Sequence, residues 1–167
     1  VSRATLRDDA SCLEWLIAQP WATAARNNII VFFDRSAMPF FTLALIDIQI
    51  GVIAAVSGLV APIVFKVLDP SAAGAFLRCL FPRYFLTAAL LGVLTFVLAV
   101  FGNQWIVAAM MGLDALCFFT ALGMVPAINA AKDRDDPSFA RLHLVSVVLN
   151  MTGLVLAIVA IGGDVLG

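Results

Sequence analysis

Between Arg83 and Lys132 the chain carries one charged side chain, Asp114, in a run too long for a single bilayer crossing and well sized for two. A hydrocarbon core about 30 Å thick takes roughly 20 helical residues, and each charge inside it is expensive. The run breaks once, at Gly102, Asn103 and Gln104, so it reads as a tight hairpin of two spans, about 85–101 and 105–125, with a lone carboxylate partway along the second. Pro82, Arg83 and Tyr84 suit an interfacial helix start, and Trp105 and Pro126 mark the two membrane edges of the third span. A first span runs over about 42–67 and a fourth over about 142–161. The pattern predicts an all-α integral membrane four-helix bundle.

Two local breaks refine this picture. In the first span Pro62 removes the hydrogen bond to the Gly58 carbonyl, which in lipid must find another partner, so a kink facing protein is expected. After it, Asp69-Pro70 reads as a turn with Ser71 as cap, and Ala73, Phe76, Leu77 and Leu80 recur at helical spacing with Arg78 as the only charge. That stretch predicts a short helix in the headgroup plane between spans one and two. Asn129 to Ser138 is the most polar stretch and belongs in water; within it Asp136-Pro137 reads as an N-cap followed by proline at the first helical position.

Residues 1–37 differ in composition from the transmembrane domain, 38–167, and read as an N-terminal extension that is partly helical or interfacial. Their apolar run, Ile29 to Phe33, is short and lacks a following small-residue cleavage site, so no secretory signal is read there. With Val1 first and Met38 just ahead of the first span, part of this segment is expected to be an alternative-start extension.

Basic residues then suggest an orientation. The loops after spans one and three, 68–84 and 126–141, hold or border Lys66, Arg78, Arg83, Lys132, Arg134 and Arg141, whereas the 102–104 hairpin and the C-terminal tail have no Lys or Arg. The positive-inside rule places those two loops in the cytoplasm, most simply of a bacterial inner membrane.

Composition closes off several function classes. The chain is 63% hydrophobic and 13% charged over 167 residues, about half the charge share of an ordinary soluble domain. A net charge of −1 gives no basic field for nucleic acid. Cys12, Cys79 and Cys117 are scattered without CxxC spacing and read as free, buried thiols; with a single His143 no metal site and no cofactor is expected.

The candidate chemistry is intramembrane and polar. His143, Ser146 and Asn150 fall at i, i+3 and i+7, with Gly153 next, so one face of the fourth helix is polar and small and turns inward. It serves either as a track for a proton, ion or head group or as interhelical hydrogen bonding worth about 1 kcal/mol per contact. Asp114 must be either protonated or paired, as a relay carboxylate or as a structural donor to a backbone carbonyl. Asp47 and Gln49, nearer the outer interface, are expected to reach water, with Asp47 a candidate for an entrance. Gly51 with Ala55, Ala54 with Gly58, and Ala108 with Gly112 are small-xxx-small pairs for close packing within the bundle or between protomers. Arg78 and Arg83 serve as snorkelling anchors or as contacts to anionic lipid head groups.

Two segments resemble a known family. Residues 51–85, GVIAAVSGLVAPIVFKVLDPSAAGAFLRCLFPRYF, and 125–150, VPAINAAKDRDDPSFARLHLVSVVLN, are similar in spacing to the small-residue first helix, the lFp.Yf entry to the second and the vPa.N...D....F..LH..S...N pattern of the transmembrane-protein-205-like bacterial membrane proteins. The resemblance spans roughly 39–163 and leaves 1–37 and the role of Asp114 untouched. It implies a small four-helix membrane protein of a group linked to drug or metal tolerance without an established chemistry.

The residues favour a non-enzymatic carrier or accessory subunit, in contact with membrane lipids and acting as a homo-oligomer or within a larger complex. The alternative is a membrane-embedded redox or haem-binding protein. One histidine per chain restricts that reading to a dimer with a shared site, or to methionine as second ligand. No G-x-S-x-G elbow, HExxH or paired catalytic carboxylates argue for an enzyme.

Overall fold

A few short side chains decide where the chain turns. The computed structural model describes residues 38–166, and the expectations for 1–37, including Cys12, lie outside the described residues. Within it are α1, Met38–Val67, and α2, Pro70–Phe101. They are followed by α3, Trp105–Asp133, and α4, Ser138–Leu166. All four are long and apolar enough to cross a membrane. The chain is a multi-pass membrane protein built as a four-helix bundle.

Between α1 and α2 the cap is Asp69, not Ser71. Its carboxylate accepts from the backbone N–H groups of Ser71 and Ala72, both at 3.0 Å, and from the Ser71 hydroxyl at 2.7 Å. These donors, the Ala72 N–H foremost, hold the Asp69 carboxyl below the usual carboxylate range. Asn103 (φ 59°) takes the left-handed position after α2, letting the Gln104 N–H reach back to the Ala99 carbonyl at 2.8 Å. Asp135 (φ 53°) does the same after α3, where the Asp136 N–H meets the Ala131 carbonyl at 2.9 Å.

Asp136 caps the start of α4 as expected, accepting from the Ser138 N–H at 2.8 Å, and that contact lowers its pKa. Because the folded value lies below the unfolded one, the stabilisation is present above about pH 4 and lost as pH falls through the lowered value. Asp136→Asn keeps an acceptor without the charge. Thermal unfolding in detergent should therefore fall less between about pH 6 and pH 3 in Asp136→Asn than in the wild type. Equal losses in the two proteins would remove the cap from this account.

All four helices run past their expected limits, α2 and α3 at the ends where a proline was expected to stop them. The stretch expected to lie separately in the headgroup plane is the first part of α2, which continues through Pro82 without a break. One missing N–H costs one hydrogen bond, and at 32 residues α2 is about 48 Å long, so its first turns clear the hydrocarbon core and their carbonyls can be hydrated. By the same reasoning α3 passes through Pro126 to Asp133, which confines the water-exposed turn to residues 134–137. In α1 the effect of Pro62 appears just upstream, as a π-helical segment, Ala55–Val60, in which the Ala61 N–H bonds to the Val56 carbonyl. Widening the helix by one residue per turn is a known local adjustment to a broken hydrogen-bond ladder.

The bundle closes along stripes at 3-4 spacing. On α3 Val107, Met111, Asp114, Phe118, Ala121 and Val125 are buried; on α4 Ser146, Asn150, Gly153, Ala157 and Ala160 are. This is the seam geometry of helices crossing at a shallow angle. Small residues bring α2 and α3 close: a Cβ on Gly92 would lie 3.1 Å from Ala115 Cβ, and one on Gly112 would lie 3.3 Å from the Phe96 ring. The Ala108/Gly112 pair thus serves packing within the bundle. Gly51, Ala54, Ala55 and Gly58 instead lie on an exposed side of α1. Cys79 is exposed and Cys117 half-buried, so neither thiol is hidden as expected, because Cys79 lies on the outer side of the hydrated start of α2.

Candidate functional site

The polar groups of this bundle form a column along its axis. α1 presents Thr42, Ile46, Gln49 and Ile53 inward at 4-3-4 spacing, all fully buried. Gln49 Nε2 donates to Asp114 Oδ2 across 2.5 Å. Asp114 therefore does not stand alone, and Gln49 does not reach water as expected, because the 4-3-4 stripe turns it inward. Asp47, two residues earlier and almost half a turn round the helix, is exposed on α1 and takes no part in the open cavity described below.

All four helices meet at the Asp114 carboxyl. A Cβ on Gly92 of α2 would stand 2.7 Å from Oδ2, and one on Gly153 of α4 would stand 2.9 Å from Oδ1. The two glycines are the slot in which the carboxyl fits. No cation among the described residues pairs with it, and two fully buried acceptors, Asp114 Oδ1 and Gln49 Oε1, have no hydrogen-bond partner.

One turn further along α3, Phe118 fills the axis. Its ring meets Tyr84 edge-on at 6.1 Å and Phe85 at 6.3 Å, and it lies against Gly153 beside Asp114. Beyond it Tyr84 Oη donates to Asn150 Oδ1 at 2.5 Å, and Asn150 Nδ2 donates to Ser57 Oγ at 3.1 Å. Ser57 belongs to the π segment of α1, so the widened turn supplies the third member of this network. Tyr84, read from sequence only as an interfacial anchor, is buried.

Beyond that layer, residues of all four helices line a cavity of about 810 Å³. His143, Ser146 and Asn150 all line it, so the face expected on α4 runs from the cavity mouth to Gly153 and the carboxyl. Ser146 is buried and donates to the His143 carbonyl at 2.8 Å; His143 is exposed and stacks on Phe139 at 5.8 Å. Arg78 lines the cavity and holds Asp133 through both terminal guanidinium nitrogens, so Asp133 ties α2 to α3. Arg83 lines none of it; its Nη1 donates to the Cys79 carbonyl at 2.7 Å on its own helix.

These features define a polar-cored four-helix membrane protein: a carboxyl sealed at the centre, a bridging network beside it and a cavity open at one end. A family model described as a domain of unknown function (DUF4149) matches residues 44–160, which cover α2 and α3 whole, most of α1 and α4, and both polar layers, and the chain belongs to that family. Neither a curated protein nor a solved structure matches it.

Proposed function

We propose that this protein is a non-enzymatic membrane carrier or accessory subunit whose working element is a proton-binding carboxyl–amide pair, Asp114 with Gln49. The observation that carries the reading is the pair of unpartnered acceptors, Asp114 Oδ1 and Gln49 Oε1, sealed in the bundle. A proton on Oδ1 gives the carboxyl a donor for Oε1 while Nε2 continues to donate to Oδ2, and one proton then satisfies both orphans. The route to the cavity runs along Gly153, Asn150, Ser146 and His143, with Phe118 packed across it.

The resemblance to transmembrane-protein-205-like proteins fits this small-bundle reading, as does an orientation with 68–84 and 126–141 in the cytoplasm of a bacterial inner membrane. Four helices make a thin pathway, so a carrier would work as a homo-oligomer or inside a larger complex.

Infrared difference spectroscopy of the reconstituted protein tests the pair. A protonated-carboxyl band present in the wild type should vanish in Asp114→Asn, and proton flux into proteoliposomes should fall to the empty-vesicle level in the same variant. A wild-type spectrum lacking that band, or flux equal in both proteins, overturns the assignment. A Soret band in purified material would favour the haem-binding dimer instead.

A further inference from the structure

The open cavity is lined unevenly, and the unevenness identifies a ligand class. Its inner wall is apolar, with Ala73, Leu77, Phe81, Phe85 and Val125 among its residues. Its side chains with cationic or N–H donor character are Arg78, Asn129, Lys132, His143 and Asn150. No acidic residue lines it, although Asp69, Asp133, Asp135 and Asp136 all lie in the neighbouring turns or helix ends. Four carboxylates lie around the mouth and none lines the interior, so Arg78 and Lys132 are the only lining side chains with a full charge.

The cations are not equivalent. Arg78 is neutralised by Asp133, in the only ion pair among the described residues. Lys132 has no carboxylate; its Nζ stands 5.1 Å from the centre of the Phe139 ring, on which His143 also stacks. A cation over an aromatic face is held in place while it keeps its charge for a further partner. At the deep end Asn150 already uses its carbonyl and amide on Tyr84 and Ser57, so the floor offers an anion little. Negative charge belongs at the rim and hydrocarbon below it.

We infer that this cavity is a binding site for one anionic phospholipid of the surrounding bilayer, with its phosphate at Lys132 and His143, beside the Arg78–Asp133 pair, and an acyl chain along the inner apolar wall. The volume of 810 Å³ lies within the roughly 300–1,000 Å³ of small-molecule sites. Arg78 and Lys132 stand near the Pro70 end of α2 and the Asp133 end of α3, helices of 32 and 29 residues against the roughly 20 that a hydrocarbon core takes, and charged side chains at such ends belong at headgroup level, which selects a lipid phosphate over a free one. The inference does not depend on the Asp114 reading.

Native mass spectrometry of the full chain, released from micelles holding equal amounts of phosphatidylglycerol and phosphatidylcholine, provides the test. One phosphatidylglycerol should remain bound in preference to phosphatidylcholine. Lys132→Gln should weaken retention about fivefold, the value of one basic group near a lipid phosphate. Arg83→Gln should leave it unchanged, since that guanidinium lies outside the cavity. Gly74 lines the cavity with open space beyond its Cα, so Gly74→Phe should expel the lipid while leaving the melting temperature near that of the wild type. Three results would overturn the inference: equal retention of the two lipids, equal effects of Lys132→Gln and Arg83→Gln, or displacement of the lipid by inorganic phosphate. If Gly74→Phe is poorly folded, the Lys132 and Arg83 comparison decides alone.

Discussion

Gly153→Ala should destabilise the bundle more than any other single-methyl addition to it, and Gly153→Val should prevent accumulation of folded protein. A Cβ at this position would lie 2.5 Å from Phe118 Cε2, 3.0 Å from Cζ and 2.9 Å from Asp114 Oδ1. Distances that short require something to move, and neither neighbour is free to do so. Phe118 is fully buried with Tyr84 and Phe85 against it, and Asp114 is fixed by Gln49. Overpacking a close-packed interior typically costs about 1–3 kcal/mol, and a contact with two immobile groups belongs at the upper end. Gly51→Ala is the matched control, because nothing lies within 4 Å of its Cβ. Adding Phe118→Leu to Gly153→Ala should recover part of the loss by removing ring atoms from the clash. Thermal unfolding in detergent measures all three; a Gly153→Ala protein as stable as Gly51→Ala would show that the slot is looser than it stands here.

The glycine slot also shows how much of this molecule is legible in its sequence. The bilayer leaves few alternatives to helix, so the four spans, the hairpin at residues 102–104 and the Asp136 cap follow from counting apolar residues and short polar ones. The α4 face from His143 to Gly153 follows from the helical period alone. What periodicity could not supply was the identity of each partner across the bundle. Gln49 looked like an interfacial residue because it precedes the middle of its span, yet Thr42, Ile46, Gln49 and Ile53 lie on one stripe. Two polar residues on a single face of an apolar helix were the signal that would have turned Gln49 inward. Tyr84 has no such signal, since an aromatic near a span end is equally a membrane anchor. Helix limits differ for a related reason: prolines at 82 and 126 look like boundaries in the sequence, but near the headgroup layer the missing hydrogen bond is tolerated and the helices continue.

Gln49→Leu should be the other costly change, because α1 leans on polar contacts to hold its place. Along its length Thr42 Oγ1 meets Gln104 Oε1 at 3.0 Å, Gln49 meets Asp114, and Ser57 accepts from Asn150. Only 17% of its most apolar window is buried, against 39% for α2 and for α3, so it has less packing to fall back on. Removing the central contact strands the Asp114 carboxyl with both oxygens unsatisfied, a loss of about 1–3 kcal/mol in a buried site. In a membrane the unfolded reference also finds partners, which places the expectation at about 1–2 kcal/mol. The contrast with Asp114→Asn is the informative part. Asparagine offers Gln49 one donor and one acceptor, as a protonated carboxyl does, so that variant should keep wild-type stability while losing the carboxyl band. Hydrogen exchange along α1 should rise in Gln49→Leu and stay unchanged in Asp114→Asn. If Asp114→Asn loosens α1 as much as Gln49→Leu does, the pair is held by a carboxylate charge rather than by a shared proton, and the proton-binding assignment fails with it.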